Sequence, residues 1–108
     1  MKYINRYYAV LGKCKVHDSV NEARRMMVRL VGVEGSASLQ LFVVGEAEWG
    51  FVVRLRDYNG RNARALPFIF SMIRGDKGFL QCFAISGTLR ALSAKLKEKG
   101  LDFQLGMK

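Results

Sequence analysis

The chain has 108 residues, and its 18 lysines and arginines against 9 aspartates and glutamates give a formal charge of +9. Half of the residues are hydrophobic and 11% are aromatic, which predicts one packed domain over residues 1–108 and excludes wholesale disorder. A charge excess of this size indicates an acidic partner, either nucleic acid or an anionic membrane surface.

The two cysteines, Cys14 and Cys82, are too few for a disulfide-stapled secreted scaffold and lack the spacing of zinc ligands. We therefore expect reduced thiols in an intracellular protein. Residues 1–6 lack the apolar segment of a signal peptide, and no apolar stretch is long enough to span a bilayer. These patterns predict a cytoplasmic protein with no membrane partner.

The first predicted strand covers the aromatic and β-branched run at residues 7–11 and ends at Gly12 or extends toward Val16. A helix follows, because Ser19 and Glu22 have the spacing of a capping box. Its apolar stripe comprises Ala23, Met26, Met27, Leu30 and Val31, at helical spacing. Gly32 is placed to end this helix.

From Ser36 the apolar period changes to two, which predicts a second strand. Leu39, Leu41 and Val43 share one face of it, and Ser38, Gln40 and Phe42 share the other. Residues 45–48 look like a turn into a third strand over residues 49–56, so the two strands are expected to form a hairpin. In the third strand Phe51, Val53 and Leu55 alternate with Val52, Arg54 and Arg56. Residues 57–60 then break the pattern.

A second helix is predicted from the spacing of Ala63, Leu66, Ile69, Phe70 and Ile73. It either begins near Arg64 with Pro67 in its first turn or is kinked at Pro67. Residues 75–78 end it, and residues 79–85 form the fourth predicted strand. The last helix follows residues 86–88, carries the stripe Leu89, Leu92 and Leu96, and closes at Gly100.

The element order βαββαβ followed by a basic helix predicts an α+β protein of the ferredoxin-like, or RRM-like, class. Such a fold has one four-stranded antiparallel sheet with two helices on one face. The opposite face of the sheet would be solvated, covered by the C-terminal helix, or used for binding.

Catalytic chemistry has little support in the sequence. His17 has no nucleophile paired with it, and the acidic residues Glu46, Glu48, Asp57 and Asp76 fall in turns. The sequence contains no P-loop and no Cys/His cluster. We therefore predict no catalytic residue and no metal site in the protein itself.

Nucleic-acid binding is better supported, because arginine interleaved with aromatic residues suits stacked bases and phosphates. One sheet face is expected to carry Gln40, Phe42, Arg54 and Arg56, with Phe79, Gln81 and Phe83 as neighbours. The alternative is that the stripe of the last helix covers these aromatic residues as ordinary core.

Two motifs give a closer resemblance. They are Asn5-Arg6-Tyr7-Tyr8-Ala9-Val10 in the first strand, and Phe83-Ala84-Ile85-Ser86-Gly87-Thr88-Leu89-Arg90 followed by Ala94-Lys95-Leu96 at the end. Together they resemble the paired signatures of ribonuclease P protein component two, the small archaeal and eukaryotic subunit family. The element order agrees over about residues 5 to 97, whereas the middle of the chain is generic and the leader before the first strand is short.

The resemblance implies a non-catalytic subunit of the ribonucleoprotein endonuclease that removes the 5′ leader of precursor tRNA. In that family the catalytic RNA, with Mg²⁺, carries the chemistry, and the protein binds no cofactor of its own. The implied partners are ribonuclease P RNA, precursor tRNA, ribonuclease P protein component three and the other subunits. The residues expected to contact RNA are Arg6, Arg54, Arg56, Ser86, Gly87, Thr88, Arg90 and Lys95.

Three alternatives stay open at this point. The Ser86–Thr88 step either receives a phosphate at the helix N-terminus, next to Arg90, or only caps the helix through Ser86. Ala65, Phe68 and Met72 form a second apolar stripe, which is either a protein-partner surface or loose packing under a loop. The whole chain could instead be a ferredoxin-like regulatory or small-ligand domain that dimerises.

Overall fold

A computed structural model describes residues 3–37, 40–58 and 63–101. In chain order the elements are β1 (Tyr3–Leu11), α1 (Val16–Ala37), β2 (Gln40–Ala47), β3 (Gly50–Tyr58), α2 (Ala65–Phe70), β4 (Gln81–Ser86) and α3 (Leu89–Glu98). The strands form one antiparallel sheet in the order β2-β3-β1-β4, so the predicted α+β class and four-stranded antiparallel sheet are confirmed. No helix in the described ranges is long and apolar enough to cross a membrane.

The larger core lies between the sheet and helices α1 and α2. Apolar residues from the sheet and from both helices are fully buried in it, among them Tyr8, Phe51, Val53, Leu55, Ala23, Met27, Leu66, Ile69 and Phe70. The rings of Phe51 and Phe70 meet edge to face with centroids 5.7 Å apart. The alternation predicted for β3 is therefore confirmed, because its odd-numbered apolar residues all enter this core.

The smaller core lies on the opposite face of the sheet, beneath α3. Ala9, Val52, Leu92 and Leu96 are fully buried there, and Trp49 and Phe83 pack against them. Of the three alternatives for this face, coverage by the C-terminal helix holds for the part above β1 and β4.

Helix α1 differs from its predicted bounds at both ends. It begins at Val16, and Ser19 lies inside its first turn, where the Ser19 amide donates to the Lys15 carbonyl. The capping box is therefore wrong, and Glu22 instead pairs with Arg25. The helix continues through Gly32 to Ala37, so the predicted stop is wrong too.

Strands β2 and β4 also differ from the prediction. A register shift between Val43 and Gly45 lets β2 continue through the segment predicted as a turn, and the turn itself is at residues 48–49. Ser36 belongs to α1, whereas Ser38 and Leu39 lie outside the described residues. Strand β4 begins at Gln81, later than predicted, because Phe79 forms a separate bridge with Arg74.

Helix α2 agrees with one of its two predicted forms. It starts after Arg64 and carries Pro67 in its first turn, where a missing amide proton costs no helical hydrogen bond. It ends at Phe70, so Ile73 lies in the following turn but is still buried in the larger core. The break predicted at residues 57–60 is wrong for Asp57 and Tyr58, which belong to β3, whereas Asn59 and Gly60 lie outside the described residues.

Candidate nucleic-acid interface

The pairing of β2 with β3 brings four of the predicted residues side by side on the sheet. Phe42 lies opposite Arg54, and Gln40 lies opposite Arg56. Directly opposite residues share a face of an antiparallel sheet. Gln40, Phe42, Arg54 and Arg56 are therefore called the basic sheet face below, and the sequence predicted this grouping correctly.

This face lies on the same side of the sheet as α3. Arg54 is opposite Tyr7 in the register of β1 with β3, and Tyr7 packs against the smaller core. Helix α3 contacts the edge strand β4 and its neighbour β1. The α3 side therefore has a covered part, which includes Val52 of β3, and a second part, where Arg54 and Arg56 project from β3.

Arg54 and Phe42 form a stacked pair at the centre of the basic sheet face. The Arg54 Cζ atom lies 5.1 Å from the centroid of the Phe42 ring, within the range of a cation–π interaction. The Phe42 side chain is 43% exposed. The Nε atom of Arg54 is buried and has no hydrogen-bond partner among the described residues, although buried donors are ordinarily satisfied.

The charge of this face is concentrated. Arg54 and Arg56 project from β3 on the same side, two residue steps apart along the strand, which is about 7 Å between their Cα atoms. An anion bound over this part of β3 would therefore interact favourably with two cations.

The aromatic residues expected beside this face lie elsewhere. Phe83 belongs to the smaller core, where its ring meets Trp49 edge to face at 5.5 Å. Phe79 precedes β4, at the edge of the sheet opposite β2, and Arg74 stacks on its ring at 5.5 Å. Phe83 is therefore core, as the alternative proposed, whereas Phe42 is accessible.

The Ser86–Thr88 step lies between β4 and α3. The residue at the N-cap position is Thr88, whose Oγ1 accepts a hydrogen bond from the Ala91 amide at 3.1 Å. Capping by Ser86 is therefore wrong. Arg90 follows in the first turn, where a cation opposes the helix dipole and no acidic residue offsets it.

Arg6 belongs to this step and not to the basic sheet face. It lies opposite Leu55, a residue of the larger core, so it is on the α1 and α2 side of the sheet. A Cβ atom at Gly87 would lie 3.5 Å from Arg6 Nη1, which places the guanidinium group beside the step. Arg54 and Arg56 therefore lie on the basic sheet face, whereas Arg6 lies beside the Ser86–Thr88 step.

Lys95 has a structural contact of its own. Its Nζ donates to the Ile85 carbonyl at 2.8 Å and so ties α3 to the edge strand β4. The side chain is exposed.

The predicted protein-partner stripe is divided. Phe68 and Met72 are 61% and 42% exposed, whereas Ala65 is half-buried against the larger core. Met72 lies in the turn after α2 and not within the helix. Two large apolar side chains thus remain at the surface.

Neither cysteine has the properties of a nucleophile. Burial raises the pKa of the Cys14 thiol, although a hydrogen bond with the Ser19 side chain opposes this shift. Burial raises the pKa of the Cys82 thiol to about 11. Both thiols are therefore protonated at neutral pH, and only the thiolate is reactive.

Within residues 3–37, 40–58 and 63–101, no group of three or more His, Cys, Asp or Glu side chains is arranged to hold a metal ion. A comparison with models of known protein families and with curated proteins found no match.

Proposed function

We propose that this chain is a non-catalytic, RNA-binding subunit that resembles ribonuclease P protein component two. It would bind the catalytic RNA that cleaves the 5′ leader of precursor tRNA and help that RNA hold its active form. The observation that carries the RNA-binding part is the Arg54–Phe42 stack beside Arg56, with a buried Arg54 Nε that no group in the described part of the chain hydrogen-bonds.

The geometry suits two kinds of contact with RNA. The exposed ring of Phe42 can stack on an unpaired base, which is a sequence-tolerant contact. Arg54 and Arg56 can neutralise phosphates, and such contacts position a strand without reading its sequence. No proton transfer by the protein is part of this role, and Mg²⁺ would act with the RNA.

The two motifs that carry the resemblance are neighbours in space, which supports the proposal. Tyr7 of the first motif lies opposite Ser86 of the second in the pairing of β1 with β4. The strand order and the antiparallel pairs are compatible with the ferredoxin-like fold, which we propose for this chain together with a cytoplasmic location.

The exposed side chains of Phe68 and Met72 are a proposed contact with a protein partner. Large apolar groups at the surface are common at such interfaces. The resemblance implies ribonuclease P protein component three as that partner, with the other subunits of the enzyme in the same assembly.

Binding to ribonuclease P RNA tests the proposal, with R54Q and F42A as variants. We expect each to weaken binding about tenfold, close to the free energy of one charge-assisted hydrogen bond or one stacked base. R54Q should also reduce the slope of log affinity against log salt by about 0.7 to 0.9, the contribution of one phosphate contact.

The chain offers a matched control, because Arg74 stacks on exposed Phe79 in the same manner but outside the basic sheet face. R74Q and F79A should bind the RNA within about twofold of the wild type, since surface changes away from an interface have small effects. Equal losses for R54Q and R74Q would count against a specific role for the basic sheet face.

A further inference from the structure

A cleft on the α1 and α2 side of the sheet has arginine on two of its walls. It has a volume of about 360 Å³ and is lined by Arg6, Tyr8, Ala63, Arg64 and Ile85. Arg6 comes from β1, and Arg64 immediately precedes α2. We call it the two-arginine cleft. Arg64 was not among the eight residues that the sequence analysis expected to contact RNA.

No carboxylate lies beside the two arginines among the described residues that line the cleft. Neither Arg6 nor Arg64 forms an ion pair within residues 3–37, 40–58 and 63–101. Arg64 occupies the N-cap position of α2 without making a side-chain cap hydrogen bond. Two like charges thus face one space, an arrangement that favours binding of an anion.

The floor of the cleft is held in place by the core. Tyr8 is fully buried in the larger core, and its hydroxyl donates to the Ala63 carbonyl at 2.7 Å. This bond fixes the backbone directly before Arg64 relative to β1. The positions from which the two arginines project are therefore set before any ligand arrives, which lowers the ordering cost of binding.

Arg6 also lies near the Ser86–Thr88 step. Its guanidinium group is beside Gly87, where a Cβ atom would be in van der Waals contact at 3.5 Å. Gly87 is exposed and has no side chain that could shield Arg6 from this direction.

We propose that the two-arginine cleft binds a phosphodiester group of an RNA strand. The planar donor fork of arginine matches phosphate oxygens, and two such forks can hold one phosphate from both sides. The volume has room for the phosphate and part of its sugar. This inference rests on the proposed RNA-binding function and adds to it a second contact region, on the side of the sheet opposite the basic sheet face.

The first test uses inorganic phosphate alone, followed by NMR of the arginine side-chain Nε–Hε signals in the full chain. The signals of Arg6 and Arg64 should shift together on titration. Arg29 is the control, because it is exposed on α1 and does not line the cleft. Phosphate that leaves Arg64 unmoved, or moves Arg29 equally, overturns the inference.

The second test measures binding of a single-stranded 12-nucleotide RNA by the wild type, R64Q and R29Q. R64Q should bind about tenfold more weakly and lower the salt slope by about 0.7, whereas R29Q should stay close to the wild type. Arg64 is exposed and makes no cap bond, so R64Q keeps the fold.

The two proposals fail in different ways in this experiment. If the wild type binds RNA and R64Q binds equally well with an unchanged slope, the inference about the cleft is overturned and the proposed function stands. If the wild type does not bind RNA at low salt, the proposed function fails, and the assignment of the cleft to RNA fails with it.

Discussion

Docking of α3 on the sheet depends on a small number of apolar contacts, and Leu92→Ala tests their strength. The Leu92 side chain is fully buried in the smaller core, in which three other residues are also fully buried. Buried Leu→Ala substitutions cost about 2.7 to 5.0 kcal/mol, and less where the surroundings can collapse into the cavity. Because the remaining residues that pack against these four are only partly buried, we expect a loss of about 3 kcal/mol, in the lower part of that range.

Urea unfolding followed by circular dichroism measures this loss, and fluorescence locates it. Trp49 is the single tryptophan of the chain and packs in the smaller core, so its emission should move to longer wavelength in the variant. Leu30→Ala is the matched control, because Leu30 is 57% exposed on α1 and should cost less than about 0.5 kcal/mol. Equal losses for the two variants, with unchanged Trp49 emission, would refute the reasoning.

Three further predictions concern the backbone, the helix cap and a thiol. A Cβ atom at Gly50 would lie 1.9 Å from a β1 carbonyl oxygen, whereas one at Gly78, which has a similar φ of 156°, would meet nothing within 4 Å. Thermal unfolding should therefore show a much lower melting temperature for G50A than for G78A. Equal melting temperatures would exclude the clash. Thr88→Ala should lower the free energy of unfolding in urea by about 1 kcal/mol, the usual loss when an N-cap side chain is removed. Ser86→Ala should cost less, and a larger loss for Ser86→Ala would contradict the assignment of Thr88 as the cap. Burial raises the pKa of Cys82 from 9.0 to about 11, so the folded state holds the thiol proton more tightly than the unfolded state does. The contribution of this thiol to the free energy of unfolding is therefore complete below pH 9 and is lost as the pH rises toward 11. Urea unfolding at both pH values should show a larger decline for the wild type than for Cys82→Ala, and identical declines would contradict the shift.

The sequence was most informative where a local pattern and the tertiary fold agree. The alternation of β3 predicted which side chains enter the larger core and which carry charge, because a strand has a period of two. Pro67 was correctly placed in the first turn of α2, since that position requires no amide donor. Gly100 ends α3 with a positive φ of 76°, as a glycine after a helix commonly does.

Other features could not be predicted because tertiary contacts override local signals. The capping-box pattern at Ser19 and Glu22 is not used, since the helix starts earlier and the Ser19 side chain bonds to Cys14. The shift in register between Val43 and Gly45 reverses the side on which later residues of β2 face, and no local pattern announces it.

The candidate site divides for a related reason. Alternation along β3 alone groups Arg54 with Arg56, but the side on which Arg6 lies follows only from its pairing with Leu55. The contribution of Arg64 depends on where the segment before α2 meets Tyr8, a contact between residues 55 positions apart. Such a contact leaves no signal in local composition.

Reconstituted cleavage of precursor tRNA tests the central claim most directly. Ribonuclease P RNA and the other protein subunits are assembled with and without this chain, and 5′ leader removal is measured at limiting Mg²⁺. The account predicts faster cleavage when the wild-type chain is present and a smaller gain with R54Q than with R74Q. Cleavage that is the same with and without the chain would contradict it.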